Sequence, residues 1–135
     1  MATSLTFTSA AFAQNTSFAS GATTETTILS ADATYSRRIY GIAFTNSDAS
    51  AKNCTIRIKD GSANVAGVYI VAATTGANVM TDIFGNTAGA PVFQKKRDAN
   101  GNSYYDLPAT WTISAQLSAN VTSSAYIHVF GETYA

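Results

Sequence analysis

Residues 53–59, Asn53-Cys54-Thr55-Ile56-Arg57-Ile58-Lys59, decide the fold. Cys54, Ile56 and Ile58 fall on one side of an extended chain, and Thr55, Arg57 and Lys59 fall on the other. Successive side chains of a β-strand point to opposite faces, so this pattern predicts a strand with one face in a core and one in water. The same period of two recurs away from this stretch. Residues 3–8 alternate polar and apolar; Trp111, Ile113, Ala115 and Leu117 oppose Thr110, Thr112, Ser114 and Gln116; and 124–131 sets Tyr126, His128 and Phe130 against Ile127 and Val129. Thr, Val, Ile, Tyr and Phe dominate these segments, as a pleated, half-buried surface prefers.

Two segments, 38–45 and 66–73, are apolar on both faces and read as central strands, or as strands covered outside by another subunit. Further strands are expected near 23–30, 77–84 and 91–97. Between them lie turn signals: Asn46-Ser47-Asp48, Asp60-Gly61-Ser62, Thr75-Gly76, Gly85-Asn86 and Asn100-Gly101-Asn102. No segment carries a helical period. The chain therefore reads as a single all-β domain, an antiparallel β-sandwich or jelly-roll-like barrel with an extended N-terminal arm. Residues 1–24 form the N-terminal strand and arm in this reading, and 25–135 the sandwich. The stretch 8–24 is uncharged and rich in Ala, Ser, Thr, Gly and Asn, with isolated Phe12 and Phe18. These rings either hook into a neighbouring subunit or belong to a loop folded back on its own core.

With 135 residues, the chain is long enough to bury roughly two-thirds of its unfolded surface. Its lone cysteine, Cys54, makes no intrachain disulfide, which suits folding in a reducing cytoplasm. Eight basic residues balance eight acidic ones, and only 12% of the chain is charged, against roughly 25% in ordinary proteins. A nucleic-acid partner is not expected without a basic excess to meet phosphates. Nor is a membrane, because no apolar run approaches the roughly 20 residues a spanning helix needs. Ala11-Phe12-Ala13 imitates a signal-peptide cleavage site, but no Lys or Arg precedes Arg37, so no signal peptide is expected. So little charge suggests a surface partly covered by neighbours.

Each group that could carry chemistry has a structural explanation. His128 is the only histidine and sits mid-strand between Ile127 and Val129, so it reads as a packed or half-exposed strand residue rather than a catalytic base. Cys54 shares a face with Ile56 and Ile58 and reads as a small core residue. Asp32, Asp48, Asp60, Asp98, Asp106 and Glu132 lie at turns or strand ends, where Asp bonds the following backbone. Residues 98–106 space oxygen ligands as calcium would like, yet Gly101 is fourth and Ala109 twelfth, where an EF-hand needs Gly sixth and Glu twelfth. A solvated loop with an Asn-Gly turn is the expectation. No zinc, phosphate-loop or dinucleotide motif occurs, so no cofactor, metal or enzymatic activity is expected. Lys95, Lys96 and Arg97 read as a solvated strand edge, or as a contact with acids of another subunit.

Leu107-Pro108-Ala109-Thr110-Trp111-Thr112-Ile113-Ser114-Ala115-Gln116 and Ala125-Tyr126-Ile127-His128-Val129-Phe130-Gly131-Glu132-Thr133-Tyr134 resemble the ends of small virion proteins of tailed bacteriophages. The resemblance covers about a quarter of the chain. It implies a capsid decoration (cement) protein made in the host cytoplasm and carried on the capsid surface, trimeric, with the major capsid protein as partner. Contact residues suggested beside it are Phe7, Phe12 and Phe18 in the arm, Lys95, Lys96 and Arg97 at the strand edge, and Tyr104 and Tyr105 near the loop. Two alternatives stand beside it: another virion component of tail, neck or fibre, and a carbohydrate-binding sandwich using Tyr104, Tyr105, Asn100 and Asn102.

Overall fold

A computed structural model of the chain describes residues 9–18, 23–48, 50–73, 78–81, 96–121 and 125–134. They form β1 (Ser9–Phe18), β2 (Thr26–Leu29), β3 (Ser36–Asn46), β4 (Lys52–Lys59), β5 (Val65–Ala73), β6 (Asn78–Thr81), β7 (Lys96–Arg97), β8 (Ser103–Leu107), β9 (Thr112–Leu117) and β10 (Ala125–Tyr134), with no helix among them. Two antiparallel sheets face each other across one core, as the alternation predicts. One has the order β1-β10-β3-β8-β7, with β6 also paired to β3; the other has the order β2-β9-β4-β5. Cys54, Ile56 and Ile58 are buried in the core, as their shared face requires. They meet Ile39, Ile42, Phe44, Ile113, Ala115, Leu117, Ile127 and Val129 there. Each large aliphatic or aromatic side chain so buried contributes roughly 1.5–3 kcal/mol.

The doubly apolar look of 38–45 has a geometric cause. Phe130 pairs with Gly41 and Gly131 with Ile39, so Tyr40 is an extra residue in β3. This β-bulge shifts the phase of the strand. Ile39 faces the core before the bulge and Ile42 and Phe44 after it, while Tyr40 and Ala43 stay only partly covered. A second bulge lets adjacent Ile28 and Leu29 both enter the core from β2. A third, between Ile58 and Lys59, sets Val65 opposite Lys59 and Val68 opposite Arg57, on the outer face. Among the described residues the strand at 66–73 is not central: β5 ends its sheet, and Val65 and Val68 stand 50% and 43% exposed, so of the two expectations for it the central position fails.

The uncharged N-terminal stretch follows the second of its two expectations, packing on the chain's own core, but as a strand rather than a loop. Ser9–Phe18 is extended, but it is registered on β10 along its whole length and forms the edge of the larger sheet. Phe18 is buried in the chain's own core, and Phe12 is partly buried against it. Their even spacing puts both on the inward face, while exposed Ala11, Ala13 and Ser17 alternate with them. The strand expected at 3–8, and Phe7 in it, lies outside the described residues.

Two turns share one design. In Asp60-Gly61-Ser62-Ala63-Asn64, Asp60 Oδ1 accepts the backbone N–H of Ser62 (2.8 Å) and Asn64 (2.9 Å). In Asp98-Ala99-Asn100-Gly101-Asn102, Asp98 Oδ1 accepts those of Asn100 (2.9 Å) and Asn102 (2.8 Å). The second turn is the tip of the β7–β8 hairpin, and Tyr104 to Leu107 is strand rather than solvated loop.

Candidate functional site

The outer face of the six-stranded sheet gathers side chains that are far apart in sequence. Because β3 pairs with both β8 and β10, Arg38 stands opposite Asp106 on one side and Glu132 on the other. Arg38 Nη1 lies 3.3 Å from Glu132 Oε1, and its guanidinium covers the Tyr104 ring at 4.8 Å from the centroid. Tyr40 meets Tyr104 edge to face, with ring centroids 6.0 Å apart. The Tyr40 hydroxyl stands 3.0 Å from Glu132 Oε1 and 3.3 Å from Asp98 Oδ2. Burial, then the hydrogen bond to Glu132, pushes the Tyr40 phenol above its ordinary range, so it keeps its proton at neutral pH. Having one proton, it donates to one carboxylate at a time. Burial works against the Asp98 charge, but the donors of Asn102 and Asn100 outweigh it and hold its carboxyl below the usual range. The cluster ties the β7–β8 hairpin tip to β10.

The outer face of the other sheet is organised by Glu25. Its carboxylate pairs with Lys59, lies 3.7 Å from Arg57, and accepts a 2.7 Å hydrogen bond from the Ser114 hydroxyl. The hydrogen bonds from Lys59 and Ser114 hold its carboxyl below the ordinary glutamate range. At the sandwich end, buried Arg37 donates to the Ser30 carbonyl (2.5 Å) and the Trp111 carbonyl (2.7 Å), tying β3 to the segments that flank the smaller sheet.

The residues singled out in the sequence separate on folding. Tyr105 is in the core, and Tyr104 is only 9% exposed beneath Arg38, so neither ring offers a face for a sugar to stack on. Tyr105 to Leu107 pair with β3 and Tyr104 with Lys96 of β7, which the Asn-Gly turn signal conceals. Lys96 is exposed and pairs with Asp106 at 3.2 Å, a surface contact worth about 0–1 kcal/mol. Arg97 is exposed as well, and Lys95 lies outside the described residues. Burial pushes the Cys54 thiol up to about 12. His128 stacks beside Tyr126, ring centroids 6.5 Å apart. Among the described residues, no three His, Cys, Asp or Glu side chains converge on a metal-sized site. The Arg38–Tyr40–Asp98–Glu132 cluster escaped sequence reading, since only strand pairing brings it together.

The strand edges differ sharply. β2 and β6 have four residues each, and β7 is two residues, Lys96 and Arg97. Short or charged edges resist pairing with other chains. β1 and β5 have ten and nine residues, without a charge or a proline. Among the described residues, nothing pairs with their outer edges. Comparison with known proteins finds no family model and no curated protein that matches this chain.

Proposed function

We propose that this protein is a structural assembly component, a virion protein of the capsid-decoration type that stabilises a shell by binding several capsid subunits. One observation supports the reading: among the described residues, two long, neutral strand edges have no partner strand, while the other edges are short or charged. Its charged and polar groups at Arg37, Glu25, Arg38 and Glu132 are engaged in holding the scaffold. The C-terminal resemblance to tailed-phage virion proteins supplies the context. The partners in this reading are the major capsid protein and further copies of the chain, as a trimer, on the capsid surface.

The test is co-sedimentation of the purified chain with expanded phage capsids. Saturable binding, with a rise in the temperature at which the shells rupture, is expected. Failure to bind shells, together with binding to isolated tails, would move the protein to another part of the virion. Specific binding on a glycan array, abolished by Asn100→Ala, would replace the structural reading with a lectin.

A further inference from the structure

The two neutral edges lie at opposite lateral ends of the sandwich and in different sheets. β1 and β10 pack across the core on β2, whereas β3 and β6 pack on β5. Among the described residues, β1 ends the larger sheet at the first end, and β5 ends the smaller sheet at the second. We propose that copies of this chain associate head to tail, the β1 edge of one hydrogen-bonding to the β5 edge of the next. The larger sheet of one copy then continues into the smaller sheet of its neighbour.

Three observations favour a second copy as the occupant. The strands match in length, ten residues against nine, so each edge can meet most of the other's outward backbone groups, which have no strand partner among the described residues. Neither carries a charge, so pairing meets no ionic repulsion and strands no unpaired ion, in a chain whose net charge is zero. The side chains flanking the join also suit close approach: exposed Ala11, Ala13 and Ser17 on β1 are small, and Val65 and Val68 on β5 are exposed and apolar. Pairing β1 with β1, or β5 with β5, would cover one edge and leave the other open. The head-to-tail contact uses both, and such heterologous contacts close into rings when the rotation between copies allows. This inference rests on the assembly reading above and specifies the contact.

Cross-linking tests it in the full chain. Ala13→Cys and Val68→Cys place a thiol at the middle of each edge, on exposed positions, while native Cys54 is buried and unreactive. A bismaleimide long enough to tolerate a slip of a few residues is added to each variant alone and to their mixture. A cross-linked dimer from the mixture and from neither variant alone is expected. Cross-linking within either single variant overturns the proposal in favour of a symmetric pair, and no cross-link in any combination also overturns it. Sedimentation velocity on Ala13→Lys and Val68→Lys provides the second measurement, with circular dichroism checking the fold. Each lysine is expected to weaken self-association at least about tenfold, and unchanged association sinks the idea. Shell binding is scored separately. Head-to-tail cross-links without shell binding remove the virion reading and leave the contact standing, whereas shell binding without cross-links does the reverse.

Discussion

Ala63 and Gly101 hold the same place, fourth of five, in two turns with one hydrogen-bond pattern. Both have positive φ, 65° and 84°, and each donates its N–H to the carbonyl of the leading aspartate at 3.0 Å. An L-residue with a Cβ is strained in this region, by roughly 1–2 kcal/mol. Glycine relieves that strain but gains freedom in the unfolded chain, worth about 0.4–1 kcal/mol. Ala63→Gly is therefore expected to stabilise the protein by about 0.5–1 kcal/mol, and Gly101→Ala to destabilise it by a similar amount. Urea denaturation of both variants checks this, and a destabilised Ala63→Gly would contradict it.

The glycines of the larger sheet should rank differently. A Cβ on Gly131 would collide with the backbone carbonyl of Arg38, beside the bulge, where neither chain can retreat. On Gly41 it would meet the far end of the Phe130 ring, which can swing away. Gly131→Ala is expected to cost more than the ~1–3 kcal/mol typical of overpacking, and Gly41→Ala to fall within it. Thermal melts of the pair give the order directly.

Lys52 and Asp48 form a buried ion pair at 3.1 Å in the β3–β4 connection, 7% and 2% exposed. Lys52 also donates to the Ser50 hydroxyl at 2.6 Å. Removing the lysine takes away the cation facing a buried carboxylate, so Lys52→Met is expected to cost up to about 3–5 kcal/mol. The double variant Lys52→Met with Asp48→Asn should recover part of that loss. A double-mutant cycle in urea measures the coupling, and additive effects would refute it.

Cys54 is fully buried in β4, where desolvation opposes the thiolate. Since the thiolate is the reactive form, a thiol reagent at pH 8 is expected to leave the folded chain unmodified and to react fully in denaturant. Fast labelling under native conditions would show that the β4 face opens more readily than its packing implies.

The turn aspartates predict an acid limb. Asp60 is held below its ordinary value near 3.8 by the N–H and side-chain amide of Asn64 and the N–H of Ser62. Because the folded value is the lower one, its contribution is complete above 3.8 and is lost as pH falls through the folded value. Asp60→Ala should therefore lower stability at pH 7 and flatten the decline of melting temperature below pH 4. An unchanged acid slope would assign that decline to other carboxylates.

Much of the fold is legible in single residues. Cys54, Ile56 and Ile58 announce β4, and the turns at Asp60 and Asn100 fall where polar runs interrupt the alternation. Less legible is which segments are edges. The stretch that forms β1 reads either as an arm or as a segment folded on its own core, because Ala and Ser alternate with its inward Phe residues and dilute the apolar signal. Tyr104 and Tyr105 read as accessible because a turn precedes them, yet Tyr105 enters the core where β8 pairs with β3, and Arg38 covers Tyr104.

By itself, then, the sequence determined the all-β character, the two-faced strands and the neutrality of the stretches that became β1 and β5. These properties depend on side chains one or two positions apart, within reach of local stereochemistry. Only the tertiary structure decided the phase shift at Tyr40, the edge position of β5 and the meeting of Arg38, Tyr40, Asp98 and Glu132. Register and bulges arise when distant strands pair, and no local pattern encodes which partner a strand will meet.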